Sequence, residues 1–521
     1  MSALYISLLQ RWGEVGPKDE YEQAQFLDNA NGKLQACSAR LLPGGAHRRP
    51  ILREPVTMRR LLVLLPIVGL AAAASSPPLW AGPSGGPPNV VFILVDDLGY
   101  AELGCYGNRF NETPHVDRLA ANGLRFTNAY AAAPVCSPTR AAFLTGQWPA
   151  RVGITDYLRA DDARYLDRKH VTIAERLKEA GYATGLIGKW HLMGDYRRRP
   201  GDPRGHGLDE VICSESAYIG PGYYWPPYRH MPEVKPRRPD EYLVDRLNEE
   251  AVAFIRRHKD APFFLYKSHY AVHTRLAGKP ALVAKYEAKP GAGRGHRAPR
   301  NNPHLAAQLE CIDAGVGMIV EELRRLGILE ETIIIFTSDN GGEDRVTTNE
   351  PLRAGKSTLY EGGIRVPLVI HWPAAVRPGT CDVPVTTVDF YPTLLDAAAL
   401  APDPRQTLDG ISLLPLLKDP TGAPPERALY WHYPLEKPHF LGGRSSGAVR
   451  RGRLKLIEFF DDGHRELYDV QTDPAESRDL SRSLPAEVRR LAHALAAWRR
   501  QVGAQTPGST SAKQAGEQGR R

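Results

Sequence analysis

Two unbroken apolar runs that each end in acid constrain this chain more than any other feature. Residues 90–95, VVFILV, stop at Asp96 and Asp97, and residues 333–336, IIIF, lead through Thr337 and Ser338 to Asp339 and Asn340. Runs of β-branched and aromatic residues without polar alternation read as strands buried on both faces, as in parallel sheets. Ligands of open α/β sheets bind beyond the carboxyl ends of such strands. Adjacent carboxylates repel one another unless a cation lies between them. Carboxylates with an amide oxygen are hard ligands suited to Ca²⁺ or Mg²⁺, and no nearby His or Cys points to zinc. One strand ending in acid, taken alone, is better read as a solvated loop start. Two of them favour a metal site built from Asp96, Asp97, Asp339 and Asn340.

Between these runs lies CSPTR, residues 136–140. Ser137 suits an N-cap and Pro138 a first helical position, so a helix is expected from here until Gly146 stops it. Cys136 then stands at the helix mouth, where backbone N–H groups and the dipole favour an anion, with Arg140 adding a full charge. A buried cysteine before an ordinary helix accounts for these five residues equally well.

CSPTR resembles the C-x-P-x-R signature of the type I sulfatases, and TGQWPAR, residues 145–151, is similar to the second signature of that family. The resemblance implies that Cys136 becomes 3-oxoalanine (formylglycine), made by a formylglycine-generating maturation enzyme. It also implies one Ca²⁺, with Mg²⁺ the lesser alternative, held by Asp96, Asp97, Asp339, Asn340 and residue 136. Further motifs follow in the family's order. GKWHL carries Lys189 and His191, with Met193 in place of the usual glycine. SHYAVHT carries His269 and His273, with Val272 and Arg275 where the family has prolines. LRAGKSTLYEGGIRVP carries Lys356, with Glu361, Gly362, Gly363 and Arg365 shaping the turn that follows. In the family's terms Cys136, Arg140, Lys189, His191, His273 and Lys356 are catalytic, and Lys189, His273 and Lys356 also bind the sulfate. His269 is expected to be a surface histidine.

The implied fold is that of the alkaline phosphatase superfamily, a large α/β domain with helices on both faces of a mostly parallel sheet, plus a small C-terminal α+β subdomain. The residues between the motifs agree. Thr172 and Glu175 form a capping box before a helix closed by Gly181, and a strand covers 183–187. A helix over 242–257 presents Leu243, Leu247, Ala251 and Phe254 at helical spacing and precedes a strand over 263–266. Another strand covers 366–370. Beyond about 417, strands over 429–433, 454–460 and 466–468 and a helix over 485–502 read as the subdomain. The apolar face of that helix is Val488, Leu491, Leu495, Trp498 and Val502. Segments 197–239 and 285–302 read as irregular insertions, lids or mobile loops.

The expected division is an N-terminal extension over 1–57, a leader and linker over 58–88, a catalytic domain over 89–416, the subdomain over 417–502 and a disordered tail over 503–521. Met58, Arg59 and Arg60 precede a fourteen-residue apolar run, 61–74, and then Ser75 and Ser76. That order reads as a secretory signal, too short for a stable membrane span, with a cytosolic extension carrying a signal anchor as the alternative. It puts the mature protein in the periplasm or outside the cell. The chain has six cysteines, and after losing the leader and modifying Cys136, four would remain, enough for two disulfides. Net charge is +8, which helps to attract an anionic substrate. Without a concentrated basic stripe it does not point to nucleic acid.

The expected substrate is a sulfated small molecule or carbohydrate, with a sugar favoured over an aryl sulfate. Tyr218, Tyr223, Tyr224, Trp225 and Tyr228 offer flat faces for a sugar ring, and a packed aromatic loop is the competing account. His432 in WHYP and His439 are further candidates for the pocket. A phosphodiesterase or phosphonate monoester hydrolase with the same nucleophile, and a non-catalytic secreted binder of sulfated glycans, are the competing functions.

Overall fold

The computed structural model describes residues 86–197, 200–217, 223–422 and 424–507. The extension, the leader, Tyr218 and the last fourteen residues, 508–521, lie outside them. The described residues form one compact unit.

The strands of the main sheet, in chain order, are β1 (Asn89–Val95), β2 (Leu124–Phe126), β3 (Ala183–Gly188), β4 (Glu210–Ile212), β5 (Phe263–Ser268), β6 (Thr332–Ser338), β7 (Leu368–His371) and β8 (Gly379–Cys381). Their spatial order is β4-β3-β5-β1-β6-β7-β2-β8. The five strands from β4 to β6 run parallel, while β7 is antiparallel to both β6 and β2. The register aligns the carboxyl ends of four strands, because Val95 faces Ser338, Leu94 faces Ser268, and Gly188 faces Ser268.

Both faces of the sheet are covered, which explains the missing polar alternation in β1. Val90, Phe92 and Leu94 pack in one core with Phe143, Leu177 and Leu394, while Val91, Ile93 and Val95 pack in another with Val116, Phe254 and Ile312. The helices behind these residues are α1 (Pro114–Ala121), α2 (Cys136–Thr145), α3 (Ile173–Glu179), α4 (Leu243–Arg257), α5 (Pro303–Arg325) and α6 (Phe390–Ala397). Phe92 and Phe143 stack at 3.9 Å between ring centroids, which seats α2 directly on β1.

A four-stranded antiparallel sheet follows: β9 (Ala428–Tyr433), β10 (Ser446–Arg451), β11 (Leu454–Phe459) and β12 (Arg465–Asp469), covered by α7 (Pro485–Val502). It is pinned to the larger part by polar contacts. Trp431 Nε1 donates to the Ala131 carbonyl at 2.8 Å, and the buried Lys455 ammonium lies 2.9 Å from Glu361 and 2.8 Å from Glu476.

Several expectations need correction. α2 starts at Cys136 after Val135, and Ser137 is not its cap; the Ser137 hydroxyl accepts from Leu158 N at 3.1 Å. Proline is tolerated anywhere in the first turn, so Pro138 fixed the start only loosely. Strand β7 begins two residues after the expected 366, and β10 was missed because SGAVRR has weak alternation. Segment 285–302 is partly ordered by the helix Pro280–Glu287 and by Asn302, whose side chain caps α5. Cys105, Cys136, Cys213, Cys311 and Cys381 are all free thiols, so no disulfide forms among the described residues.

Candidate active site

The site is made where the carboxyl ends of β1, β3, β5 and β6 meet the N-terminus of α2. Asp96 and Asp97 follow β1, Lys189 follows β3, His269 follows β5, and Asp339 and Asn340 follow β6. Side-chain donor atoms of Asp96, Asp339 and Cys136 lie within 4.8 Å of one another, all buried. Asp97 N donates to Asp339 Oδ1 at 3.1 Å, which locks the two strand ends together. Four non-glycine residues here, Asp97, His191, Ala354 and Ser357, have positive φ between 55° and 73°. Such backbone persists only where its surroundings hold it, and it clusters at functional sites.

Three buried cations answer the carboxylates. Arg140 donates through Nε and Nη2 to Asp339 Oδ2 at 3.0 and 2.6 Å, through Nη2 to Asp96 Oδ1 at 3.3 Å, and through Nη1 to Ser268 Oγ at 2.6 Å. Its guanidinium therefore positions the carboxylates beneath the site as well as charging the helix mouth. Lys189 Nζ donates to Asp96 Oδ2 at 2.6 Å, and Lys356 Nζ donates to Asp97 Oδ2 at 2.7 Å.

Burial works to raise the Asp96 pKa, yet Lys189, His273 and Arg140 hold it below the usual carboxylate range; burial and Lys356 act in the same opposed way on Asp97. Asp339 is pushed up by burial and by the neighbouring Asp96 charge. Lys356 stays protonated against burial because Asp97 stands beside it. Burial pushes the Cys136 thiol up, so the unmodified side chain is a poor thiolate nucleophile.

The donor set fits a hard divalent cation. Asn340 Nδ2 donates to Asp97 Oδ1 at 2.8 Å and to the Gly341 carbonyl at 2.9 Å, which turns Oδ1 the other way. That oxygen is buried without a hydrogen-bond partner. An unsatisfied buried acceptor costs about 1–3 kcal/mol, and a cation between it and Asp96, Asp97 and Asp339 would remove the cost.

The two histidines expected to be catalytic differ in setting. His273 is part-exposed with Nε2 3.7 Å from Asp97 Oδ2, and its Nδ1 donates to the Thr274 carbonyl at 2.7 Å. His191 is buried; its Nε2 donates to the Leu158 carbonyl at 3.0 Å, and its Nδ1 has no partner. Burial, then Lys189 and Arg140, push its pKa well down, so it is neutral.

Other expectations fail. His269 is fully buried, not at the surface. Tyr224 is buried, and its hydroxyl donates to the carbonyls of Tyr270 and His273 at 2.9 Å each, so it props the His273 loop rather than offering a sugar face. Trp225 packs on Tyr242 at 4.8 Å, and Tyr228 is buried on Glu241. His432 is turned away: its Nε2 donates to the Gln505 carbonyl at 2.6 Å and its ring lies on Phe460.

Residues that sequence reasoning missed are the supports. The Glu215 carboxylate accepts from the backbone N–H of both Trp190 and His191 and from the Tyr270 hydroxyl at 2.9 Å. Ser268 anchors Arg140. Gly341 backs onto the EGG turn so closely that a Cβ there would lie 1.7 Å from the Gly362 carbonyl oxygen. The first glycine of DNGG and the turn shaped by Glu361 were each visible in the sequence, but their contact was not.

A buried acidic pocket at the carboxyl ends of a doubly wound sheet, with lysines and a helix N-terminus turned into it, defines an alkaline phosphatase-like hydrolase. Residues 88–400 match the family model described as Sulfatase, and residues 354–500 match N-sulphoglucosamine sulphohydrolase, C-terminal. The chain belongs to the sulfatase family and is an enzyme of that family. It is 36% identical to human arylsulfatase A over 424 residues, 75% of this chain and 78% of that protein. It is 34% identical to the N-acetylgalactosamine-6-sulfatase of Canis lupus familiaris over 393 residues, 69% of each. Among solved structures it resembles Ps i-CgsB in complex with k-i-k-neocarrahexaose, with a TM-score of 0.71 and 30% identity over 81% of this chain and 94% of that one.

Proposed function

We propose that this protein hydrolyses the sulfate ester of a sulfated carbohydrate, with residue 136 as formylglycine and one calcium ion bound. The observation that carries the reading is the place of Cys136, at the first position of a buried helix and within 4.8 Å of Asp96 and Asp339 donors. Sulfated sugars are supported by the N-acetylgalactosamine-6-sulfatase relative and by the structure in complex with k-i-k-neocarrahexaose. A hydrated formylglycine supplies a hydroxyl nucleophile and a second hydroxyl for releasing sulfate. Asp96, Asp97, Asp339, Asn340 and residue 136 would hold the calcium, which would supply positive charge to the sulfate-binding end of the pocket.

This chain's own residues do the rest. Lys189 and Lys356, each held by one carboxylate, bind the sulfate oxygens and offset the charge that grows on them. Arg140 keeps Asp96 and Asp339 aimed at the pocket. With Nδ1 committed to a carbonyl, His273 exchanges its proton at Nε2, the nitrogen facing Asp97, and gives it to the departing alcohol. His191, neutral and with a free lone pair on Nδ1, takes the proton when residue 136 releases sulfate.

Export follows from the leader over 58–74, which lies outside the described residues; among those described, no helix is long and apolar enough to cross a membrane. Mass spectrometry of the peptide spanning residue 136 tests the nucleophile, and a panel of sulfated sugars, an aryl sulfate and a phosphodiester tests the reaction. Full activity with an unmodified cysteine, or turnover of the phosphodiester far above every sulfate ester, overturns the reading.

A further inference from the structure

Away from the catalytic groups, the chain encloses a cavity of about 580 Å³, and none of the residues of the proposed chemistry lines it. Its walls are the loop after β1, with Glu102, Arg109 and Asn111, the stretch leading into α5, with Lys289 and Arg300, and the segment beyond Asn340, with Thr347. A volume of that order lies in the range of small-molecule sites and exceeds what a single inorganic ion needs. The walls are tied together at the bottom. The Glu102 carboxylate accepts from Asn111 Nδ2 at 2.5 Å and from the Thr347 hydroxyl, and Asn302 Nδ2 donates to the Val346 carbonyl at 3.2 Å. Glu102, Asn111 and Thr347 are all buried.

The lining is unbalanced towards positive charge. Arg109, Lys289 and Arg300 face two carboxyl groups, Glu102 and Glu350. Burial raises the Glu102 pKa to about 7, so near neutral pH that group offsets the cations only in part. Glu350 pairs with Arg300 Nη2 and leaves the other donors of that guanidinium open. Lys289 is engaged by the Phe110 carbonyl and by Glu112, the latter at 3.2 Å. Arg109 differs from both, because among the described residues it has no ion pair and no hydrogen bond, although it lines the cavity and is exposed. Asn108 holds it at the apex of a turn, Oδ1 accepting from Phe110 N at 2.9 Å and from Asn111 N at 2.8 Å. Neutral polar groups stand nearby. The amide oxygens of Asn111 and Asn301 accept no hydrogen bond among the described residues, and the Thr348 hydroxyl, which accepts from Glu350 N at 3.3 Å, still has its proton to donate.

We propose that this cavity is a second binding site, separate from the catalytic pocket, for an anionic sugar unit: Arg109 binds its sulfate or carboxylate, Arg300 adds charge, and Asn111, Asn301 and Thr348 take its hydroxyls. A guanidinium fork recognises either anion. That the ligand is a sugar rests on the sulfated-carbohydrate reading of the enzyme. The segment that walls the cavity also supports Lys356. Asn349 brackets Gly342, Nδ2 donating to its carbonyl at 2.9 Å and Oδ1 accepting from its N–H at 3.0 Å, and Lys356 N donates to the same carbonyl at 3.0 Å. On the next residue, Gly443 lies so close that a Cβ there would sit 1.9 Å from the Ser357 carbonyl oxygen. One stretch of backbone, 342–357, therefore serves both sites.

The test uses the full chain with Cys136→Ala, loaded with calcium, so that binding is read without turnover. Four probes are compared by titration calorimetry and by hydrogen exchange: N-acetylgalactosamine 6-sulfate, glucuronate, unsulfated N-acetylgalactosamine and inorganic sulfate. The charged sugars should slow exchange in peptides 101–111 and 346–351, and the better of them should bind roughly ten times more tightly than the neutral sugar or the bare ion. Whichever charged sugar is stronger identifies the anion. In R109Q/R300Q the slowing at those peptides should vanish, and in R109K/R300K it should return in part. Thr348→Trp, which fills the cavity and removes no charge, should abolish it too. With formylglycine at 136, the R109Q/R300Q protein should keep its kcat/KM on a small aryl sulfate within about twofold. No slowing by any probe, slowing that survives in both the glutamine and the tryptophan variants, or a neutral sugar or bare sulfate bound as tightly as the charged sugars overturns the proposal. Failure of the sulfate-ester reading shows separately, as no turnover of any sulfate ester by the converted wild-type enzyme.

Discussion

Lys356 and Asp97 stand 259 residues apart in the chain and 2.7 Å apart in the fold, both almost wholly buried. The pair is the most exposed edge of a chain of alternating charges that runs inward through Lys189, Asp96 and Arg140 to Asp339. Replacing Lys356 with alanine strands a buried carboxylate and, on the proposed mechanism, removes a ligand for the sulfate. We expect kcat on an aryl sulfate to fall by about two to three orders of magnitude. Added calcium should restore the thermal stability that the variant loses, but not its rate. A variant that keeps its rate would remove Lys356 from the mechanism.

On the proposed calcium site, the three carboxylates and the unsatisfied Asn340 oxygen should make stability depend on the cation. Chelation should abolish turnover and lower Tm, and calcium at about one hundred times its Kd should return about 2.7 kcal/mol. Asp339→Asn should blunt that calcium response. Equal Tm with and without chelator would contradict the assignment of the ligands.

Glu215 touches no reacting atom, yet it holds the backbone N–H groups of Trp190 and His191, and His191 has a positive φ of 55°. Glu215→Gln replaces a charged acceptor by a neutral one, and Glu215→Ala removes it. We expect kcat to drop about tenfold in Glu215→Gln and further in Glu215→Ala. The alkaline or acid limb of the pH profile should move as well, because His191 is re-aimed. A fall in stability with an unmoved profile would reduce Glu215 to a purely structural part.

His432, packed on Phe460 beside Arg499 with Gln505 as its acceptor, has its pKa lowered to about 4 by burial. A depressed histidine stabilises the folded state above its unfolded pKa of 6.5, because the unfolded chain takes up the proton first. That contribution, at most about 3 kcal/mol, disappears as pH falls from 6.5 towards 4. His432→Asn should therefore lose less stability than the wild type between pH 7 and pH 5. Parallel losses in denaturant titrations at the two pH values would refute the assignment.

The parallel core was legible because β1 and β6 are buried on both faces and say so residue by residue. The capping box at Thr172 and Glu175 was legible for the same local reason. The meeting of Asp96 and Asp339 was legible because two such strands each end in acid, and parallel neighbours bring those ends together. The aromatic insertion misled: Tyr224 and Tyr228 look like a platform in one dimension, but each hydroxyl has a buried acceptor that only the fold brings near. Glu215 lay in a stretch without periodicity, so nothing marked it. His432 failed because the alternation of β9 fixes a side of the sheet but not which side borders the pocket.

The contact of Gly443 with Ser357 makes the molecule a judge of its own length. Lys356 and the pocket carboxylates are all synthesised by residue 356, and Ser357 N donates to the Pro134 carbonyl at 2.8 Å, but the Ser357 carbonyl meets Gly443 only when the chain reaches the loop before β10. A polypeptide truncated before that loop carries every side chain of the proposed reaction and still lacks the backbone that lies against the Ser357 carbonyl. Completeness of translation is thus written into the geometry of the pocket. Insertions at 443 should be tolerated least of any in the C-terminal sheet, since even one methyl group would push the two backbones apart.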